Sequence, residues 1–189
     1  VRVTGGGPAL RIRLSNRYGS SLLPSGTLPL RVSATTIAIR SAGADVAADT
    51  LREVTFGGQR EVTIAAGDTA ISDAVTLPVA AGTDLAVSLH VGLSDLAPQH
   101  GASFVTSYVS PIGSGDHVAD LSGAAYTQVT SATMILTGVD VLSGELRGAI
   151  AATGGSVVDG FGSDIDGYND FPSWLSLRIR GEFPAASQK

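Results

Sequence analysis

The chain has 189 residues, enough for one or two domains and a sizeable buried core. Apolar residues make up 43%, charged residues 15%, and there are 24 glycines, which excludes a disordered chain and favours a turn-rich β protein over a helical one. The net charge is −5 with lysine and arginine scattered rather than clustered, which argues against a nucleic-acid footprint, and the absence of cysteine excludes a disulfide frame or a thiolate metal site. No apolar run reaches the roughly 18 residues of a membrane-crossing helix. No signal peptide is visible, and a chain opening on Val1 in mid-pattern reads as a processed or trimmed product.

From the amino terminus, Gly5-Gly6-Gly7-Pro8 lacks the Lys-Ser/Thr of a phosphate loop and reads as a hairpin turn. Leu10, Ile12 and Leu14 alternate with Arg11 and Arg13, the period of a strand with one buried face. Thr36 to Ile39 is β-branched. Val54 and Phe56 alternate and end at Gly57-Gly58; Val62 and Ile64 follow, then a turn at Ala66-Gly67-Asp68. Leu85, Val87, Leu89 and Val91 alternate with Ala86, Ser88 and His90, which makes His90 solvent-facing. Phe104 to Val109 and Thr133 to Val141 are further strand candidates. Short strands broken repeatedly by Gly, Pro and Asp predict an antiparallel β-sandwich or jelly roll over residues 1–146, folding on its own, with no helical period and no internal repeat.

The pattern changes near Ser143-Gly144. Ala149 to Thr153 is a short, almost wholly apolar run that fits a strand buried on both faces. Gly154-Gly155-Ser156 follows, then a polar, Gly-rich loop. Phe171, Leu175 and Ile179 lie four apart with Trp174 beside them, a helix stripe that makes Trp174 a core residue and turns Arg178 and Arg180 away. Pro172 suits the first turn and Asp170 the cap. Strand, glycine turn, serine, helix is how a nucleophilic hydroxyl is presented at the carboxyl end of a parallel strand. Residues 147–189 therefore read as the opening βα unit of an α/β domain.

Ser156 is the candidate nucleophile, and a serine hydroxyl needs a base within hydrogen-bond reach. His90, His100 and His117 are the histidines to weigh for that role, with the solvent-facing strand position and the two loop positions as their plain reading. Asp159, Asp164, Asp166 and Asp170 gather around Gly160, Gly162 and Gly167. A calcium loop is conceivable there, but the spacing does not fit the EF-hand, and a solvated loop with one helix cap is the preferred reading.

Thr153-Gly154-Gly155-Ser156-Val157-Val158-Asp159-Gly160-Phe161-Gly162-Ser163 resembles the first signature block of the GDSL, or SGNH, hydrolases, whose actinobacterial form is L-G-D-S-I-T-D-G-Y-G-S. Asp166, Asn169, Phe171-Pro172 and Leu175 fall where that subgroup has D-x-N-x-x-W-P-x-x-L. Upstream, Arg11-Ile12-Arg13-Leu14-Ser15-Asn16-Arg17-Tyr18-Gly19 resembles R-V-R-L-S-N-x-F-G. Val54-Thr55-Phe56-Gly57-Gly58, Ser72-Asp73-Ala74-Val75, Asp84 to Leu89, Thr106 to Pro111 and Gly115-Asp116-His117 read like the accessory β-domain of those secreted enzymes.

The resemblance implies a secreted serine esterase with a flavodoxin-like catalytic domain, acting on an acylated sugar or lipid through an acyl-enzyme, with no cofactor and no metal. It makes Ser156 the nucleophile and its N–H an oxyanion donor, with Gly154, Gly155 and Asp159 supporting the turn. The later blocks that supply a Gly, an Asn and an Asp-x-x-His motif have no match here. The family's Asp before the nucleophile is Gly155 in this chain, which removes a carboxylate from the turn. Two rival readings stand beside this one. The first is a carbohydrate-binding β-sandwich, although five Phe and four Tyr offer few stacking platforms. The second is a pseudo-hydrolase fragment that pairs with a separate chain carrying the remaining sheet. With base and orienter unmatched, these 189 residues alone are expected to turn over p-nitrophenyl acetate no faster than a Ser156→Ala variant.

Overall fold

The computed structural model describes residues 1–17, 28–92, 98–144 and 150–181. In chain order the strands are β1 (Gly7–Ser15), β2 (Leu30–Ala42), β3 (Asp45–Val46), β4 (Arg52–Glu53), β5 (Val62–Ile64), β6 (Thr69–Ile71), β7 (Val75–Val79), β8 (Leu85–Val91), β9 (Gln99–His100), β10 (Ser107–Val109), β11 (Gln128–Thr130), β12 (Thr133–Met134) and β13 (Leu136–Leu142). One α-helix, α1 (Phe171–Ile179), follows among the described residues. The protein is mostly antiparallel β, as the alternation predicts.

Two strands organise everything else. β1 pairs antiparallel with β13, β6 and β7, and β2 with β3, β4, β5 and β8. Along β1, Leu10, Ile12 and Leu14 are buried while Arg11 and Arg13 are exposed. On the outer side both arginines reach Asp140 of β13, at 2.8 and 2.7 Å. Leu10, Ile12 and Leu14 join Leu30, Val32, Ile37, Val54, Leu77 and Leu85 in one cluster, so the two sheets share a single core.

β2 does not keep one face on that core. Its register against β8 shifts between Val32 and Ala34. Leu30 and Val32 belong to the core before the shift, and Ile37 after it, with Ile39 packed against it. A one-residue bulge exchanges the faces of a strand, so even positions give way to odd ones. Ala34, Thr36 and Ala38 are buried on the opposite face, where the Thr36 hydroxyl donates to the Val118 carbonyl at 2.5 Å. Buried Val118 belongs to the connection that covers this face.

Several sequence expectations change in detail. Gly5-Gly6-Gly7-Pro8 is the entry to β1 rather than a hairpin turn, and a Cβ on Gly7 would strike the Leu142 carbonyl. Thr133 to Val141 is broken at Ile135, which is buried with φ at 44°, leaving β12 and β13 as separate strands. Phe104 to Val109 is strand only over β10. His90 is half-buried rather than free in solvent, with Nδ1 2.6 Å from the Ser33 hydroxyl. Ile150 to Thr153 forms no strand and is exposed. Ala149 and the boundary near residue 146 lie outside the described residues, as do Tyr18 and Gly19.

Thr35 lies on the core side of β2 beyond the bulge and is fully buried, yet its hydroxyl has no hydrogen-bond partner among the described residues. A buried hydroxyl without a partner loses its water and gains nothing. Thr35→Val should therefore stabilise the protein by about 1 kcal/mol, raising Tm by roughly 2–4 °C in a thermal melt. A lower Tm would show that this hydroxyl is bonded in solution.

Candidate active site

Residues 155–161 wind into a compact turn. Val158 N–H donates to the Gly155 carbonyl at 2.9 Å, Gly160 N–H to Val157 at 3.3 Å, and Phe161 N–H to Ser156 at 2.8 Å. Gly154 has a steric reason to be glycine, because a Cβ there would sit 2.7 Å from Val158 Cγ2. Gly155 has none: a Cβ there meets nothing within 4 Å, and its φ is not left-handed. The side chain of Ser156 is exposed at the head of this turn. Among the described residues neither its hydroxyl nor its N–H is hydrogen-bonded, so one donor pair is open to an incoming molecule.

The loop that follows is fastened to the β-rich body by its aspartates. Asp159 Oδ2 lies 2.9 Å from Nε2 of His100, on β9. Asp166, with φ at 61°, donates its N–H to the Phe104 carbonyl at 2.9 Å. Its carboxylate accepts from Thr106 N–H at 2.8 Å and from the Thr106 hydroxyl at 2.5 Å. Asp164 instead closes a local turn with Asn169, at 3.0 Å. Asp170 caps α1 by accepting from Ser173 N–H at 2.8 Å and from its hydroxyl at 2.7 Å. Each carboxylate has its own task, and among the described residues no three His, Asp or Glu side chains are arranged to hold a metal ion. The loop is thus more than a solvated turn with one helix cap: Asp159 and Asp166 dock it on the β-rich body.

The α1 helix forms over the residues that Asp170 and Pro172 predict. Its apolar stripe is not core: Phe171 is 50% and Ile179 60% exposed, and Trp174 and Leu175 are half-buried. The helix turns its Ser173, Ser176 and Leu177 side toward the amino-terminal segment, where Arg180 donates to the Thr4 carbonyl at 2.6 Å. Arg2 lies 3.9 Å over the Tyr168 ring and binds Asp84 through two nitrogens at 2.9 Å each. The cleft between helix and terminus holds about 70 Å³ and does not include Ser156.

His90 bonds to Ser33, and His117 to Asp120 at 2.9 Å and to the Ser114 carbonyl at 3.1 Å. Of the three histidines, His100 is the one that bonds into the Ser156 turn, and it meets Asp159 rather than the serine. The arrangement thus presents a hydroxyl and an N–H on a fixed turn, but no imidazole bonded to that hydroxyl. The docking contacts of His100 and Thr106 are not encoded by any spacing: 59 residues separate His100 from Asp159, and 60 separate Thr106 from Asp166.

Burial pushes the Asp166 carboxyl up, but the two Thr106 hydrogen bonds and the nearby Arg40 guanidinium outweigh it and hold the group below the usual carboxylate range. A carboxyl with a depressed folded-state pKa contributes stability that is fully present above its unfolded value, about pH 3.9, and is lost as pH falls through the lower folded value. The single tryptophan, Trp174, reports on this region by fluorescence. Its signal should stay flat from neutral pH down to about pH 4 and change only below that. An Asp166→Asn variant should lose this acid step. A midpoint above about pH 5 in the parent protein would contradict the assignment.

No family model matches the chain, and no curated protein matches it.

Proposed function

We propose that this chain carries the nucleophile-bearing part of a secreted serine esterase of the GDSL type. In this reading residues 1–146 are an accessory β-sandwich or jelly roll, and residues 147–189 open a flavodoxin-like hydrolase domain. The observation that carries it is the state of Ser156: exposed at the head of a hydrogen-bonded turn, with hydroxyl and N–H both unengaged among the described residues. The resemblance of residues 153–163 to the signature block supplies the family.

The chemistry follows from that pair of groups. The Ser156 oxygen attacks the carbonyl carbon of a carboxylic ester while a base takes its proton. The carbonyl oxygen becomes an oxyanion that the Ser156 N–H can hold. The C–O bond to the alcohol breaks, the alcohol leaves with a proton, and water then releases the acid from the acyl-enzyme. The base and the remaining oxyanion donors lie, in this reading, on sequence beyond the described residues. An acylated carbohydrate or lipid is the substrate class. A second reading, in which this segment pairs with further protein, is favoured by one observation: Ile150, Val157, Phe161, Ile165, Phe171 and Ile179 are all at least half exposed.

Two substitutions test the esterase reading in the full-length polypeptide. Ser156→Ala should lower kcat for p-nitrophenyl acetate by at least about 10³-fold with the fold intact. Unchanged turnover would remove Ser156 from the mechanism. Gly155→Asp restores the carboxylate of the family block at a position with room for it. It should fold normally and raise kcat more than it changes KM, since a misplacement of about 1 Å costs roughly 100-fold in rate. An unchanged kcat would mean that the carboxylate plays no part in aligning the serine.

A further inference from the structure

The Ser156 turn is gripped from one side by a single short stretch of the β-rich body. Residues 98–103 run along the 131–135 segment: Thr133 pairs with His100 and Met134 with Gln99, while Ile135 N–H donates to the Pro98 carbonyl at 3.0 Å and Ser103 N–H to Ser131 at 2.8 Å. Ile135 is part of the core cluster. The stretch is thus tied directly to the buried core, and it and the residues that follow as far as Thr106 meet the serine loop at three points. His100 meets Asp159, one helical turn after Ser156. Phe104 meets buried Gly160: a Cβ on that glycine would lie 3.5 Å from Phe104 Cδ2 and 3.2 Å from Asp170 Cβ. Thr106 and the Phe104 carbonyl meet Asp166.

The backbone along this seam is strained. Phe104, Asp166 and Tyr168 are non-glycine residues with φ of 54°, 61° and 47°. Non-glycine residues reach the left-handed region only when surrounding contacts over-determine them, and such strain gathers at functional sites. Two of the three bond to each other across the seam, Asp166 N–H to the Phe104 carbonyl. A loose surface loop would relax them.

We propose that residues 98–106 belong to the Ser156 site, with His100 and Thr106 acting as positioning residues that hold the serine turn through Asp159 and Asp166. The assignment rests on the reading of Ser156 as the nucleophile. It makes the β-rich body a working part of the site rather than an appended module. His100 acts through Asp159, and Thr106 through the loop that follows it.

Amide hydrogen exchange on the 189-residue chain tests this, with the hydrogen-bonded amides of Val158, Gly160 and Phe161 as reporters. The His100–Asp159 pair is half exposed, so His100→Ala should speed their exchange by about threefold. Thr106→Val removes a donor to a carboxylate and should speed exchange by about tenfold, while Thr106→Ser keeps the hydroxyl and should restore the parent rate. The exchanged pair His100→Asp with Asp159→His should also bring the rates back, a rescue that simple loss of packing would not give. Amides of β1 and β8 should not change. Unchanged exchange in both His100→Ala and Thr106→Val overturns the proposal. The ester assay on the full-length polypeptide separates the two claims: faster exchange combined with turnover there that is indifferent to Ser156→Ala removes the esterase reading and leaves His100 and Thr106 as the dock of this turn. If Ser156 does carry turnover, the same two variants should lower kcat and leave KM unchanged, and turnover that follows them without any change in exchange also overturns the proposal.

Discussion

The Asp166 carboxylate, bonded to Thr106 N–H and hydroxyl, is the contact on which the arrangement of the Ser156 loop depends. It is a charge-assisted pair of bonds between residues 60 apart. The residue that supplies the carboxylate also returns its own N–H to the Phe104 carbonyl. The loop between Gly154 and α1 has little apolar burial to add, because Val157, Phe161 and Ile165 face outward rather than into the core. Directional bonds therefore do here what hydrophobic burial does in the β-rich body. Their geometry fixes which way the turn bearing Ser156 points.

The two parts of the chain differ in what holds them. In the body, β1 and β2 each gather several partners, and their alternating side chains close one core between two sheets. That is an arrangement set by area, and it tolerates small errors in any one contact. In the loop, each aspartate has a distinct polar partner, and exchanging one carboxylate for an amide alters one fastening. This is the physical reason that protonating Asp166 is expected to loosen the loop while leaving the apolar core in place.

Much of the body was legible in the sequence because period-two burial leaves a direct trace. Leu10, Ile12 and Leu14 between two arginines specify β1 and its inner face. The trace failed where geometry departs from a simple strand. Ile135 adopts a left-handed backbone that no β-branched residue advertises, and the bulge after Val32 moves the core face of β2 without changing its composition. α1 was readable from its punctuation, Asp170 and Pro172, while its apolar stripe misled: spacing identifies a face but not what covers it. The apolar run before Gly154 misled in a related way. A short, mostly apolar run reads as a buried strand whether or not a partner strand is available, and Ile150 to Thr153 is exposed and unpaired. In the site, Ser156, Asp159 and the glycines stand out locally, but their anchors His100 and Thr106 do not. Contacts between residues so distant in sequence follow only from the folded topology.

The central claim is that Ser156 is an activated nucleophile on a docked turn. The direct measurement is covalent capture: the full-length polypeptide treated with an alkyl fluorophosphonate, followed by intact mass and peptide mapping. The account predicts a single adduct per chain, carried by Ser156 and abolished in Ser156→Ala. A protein that remains unlabelled, or an adduct on any other serine, would contradict it.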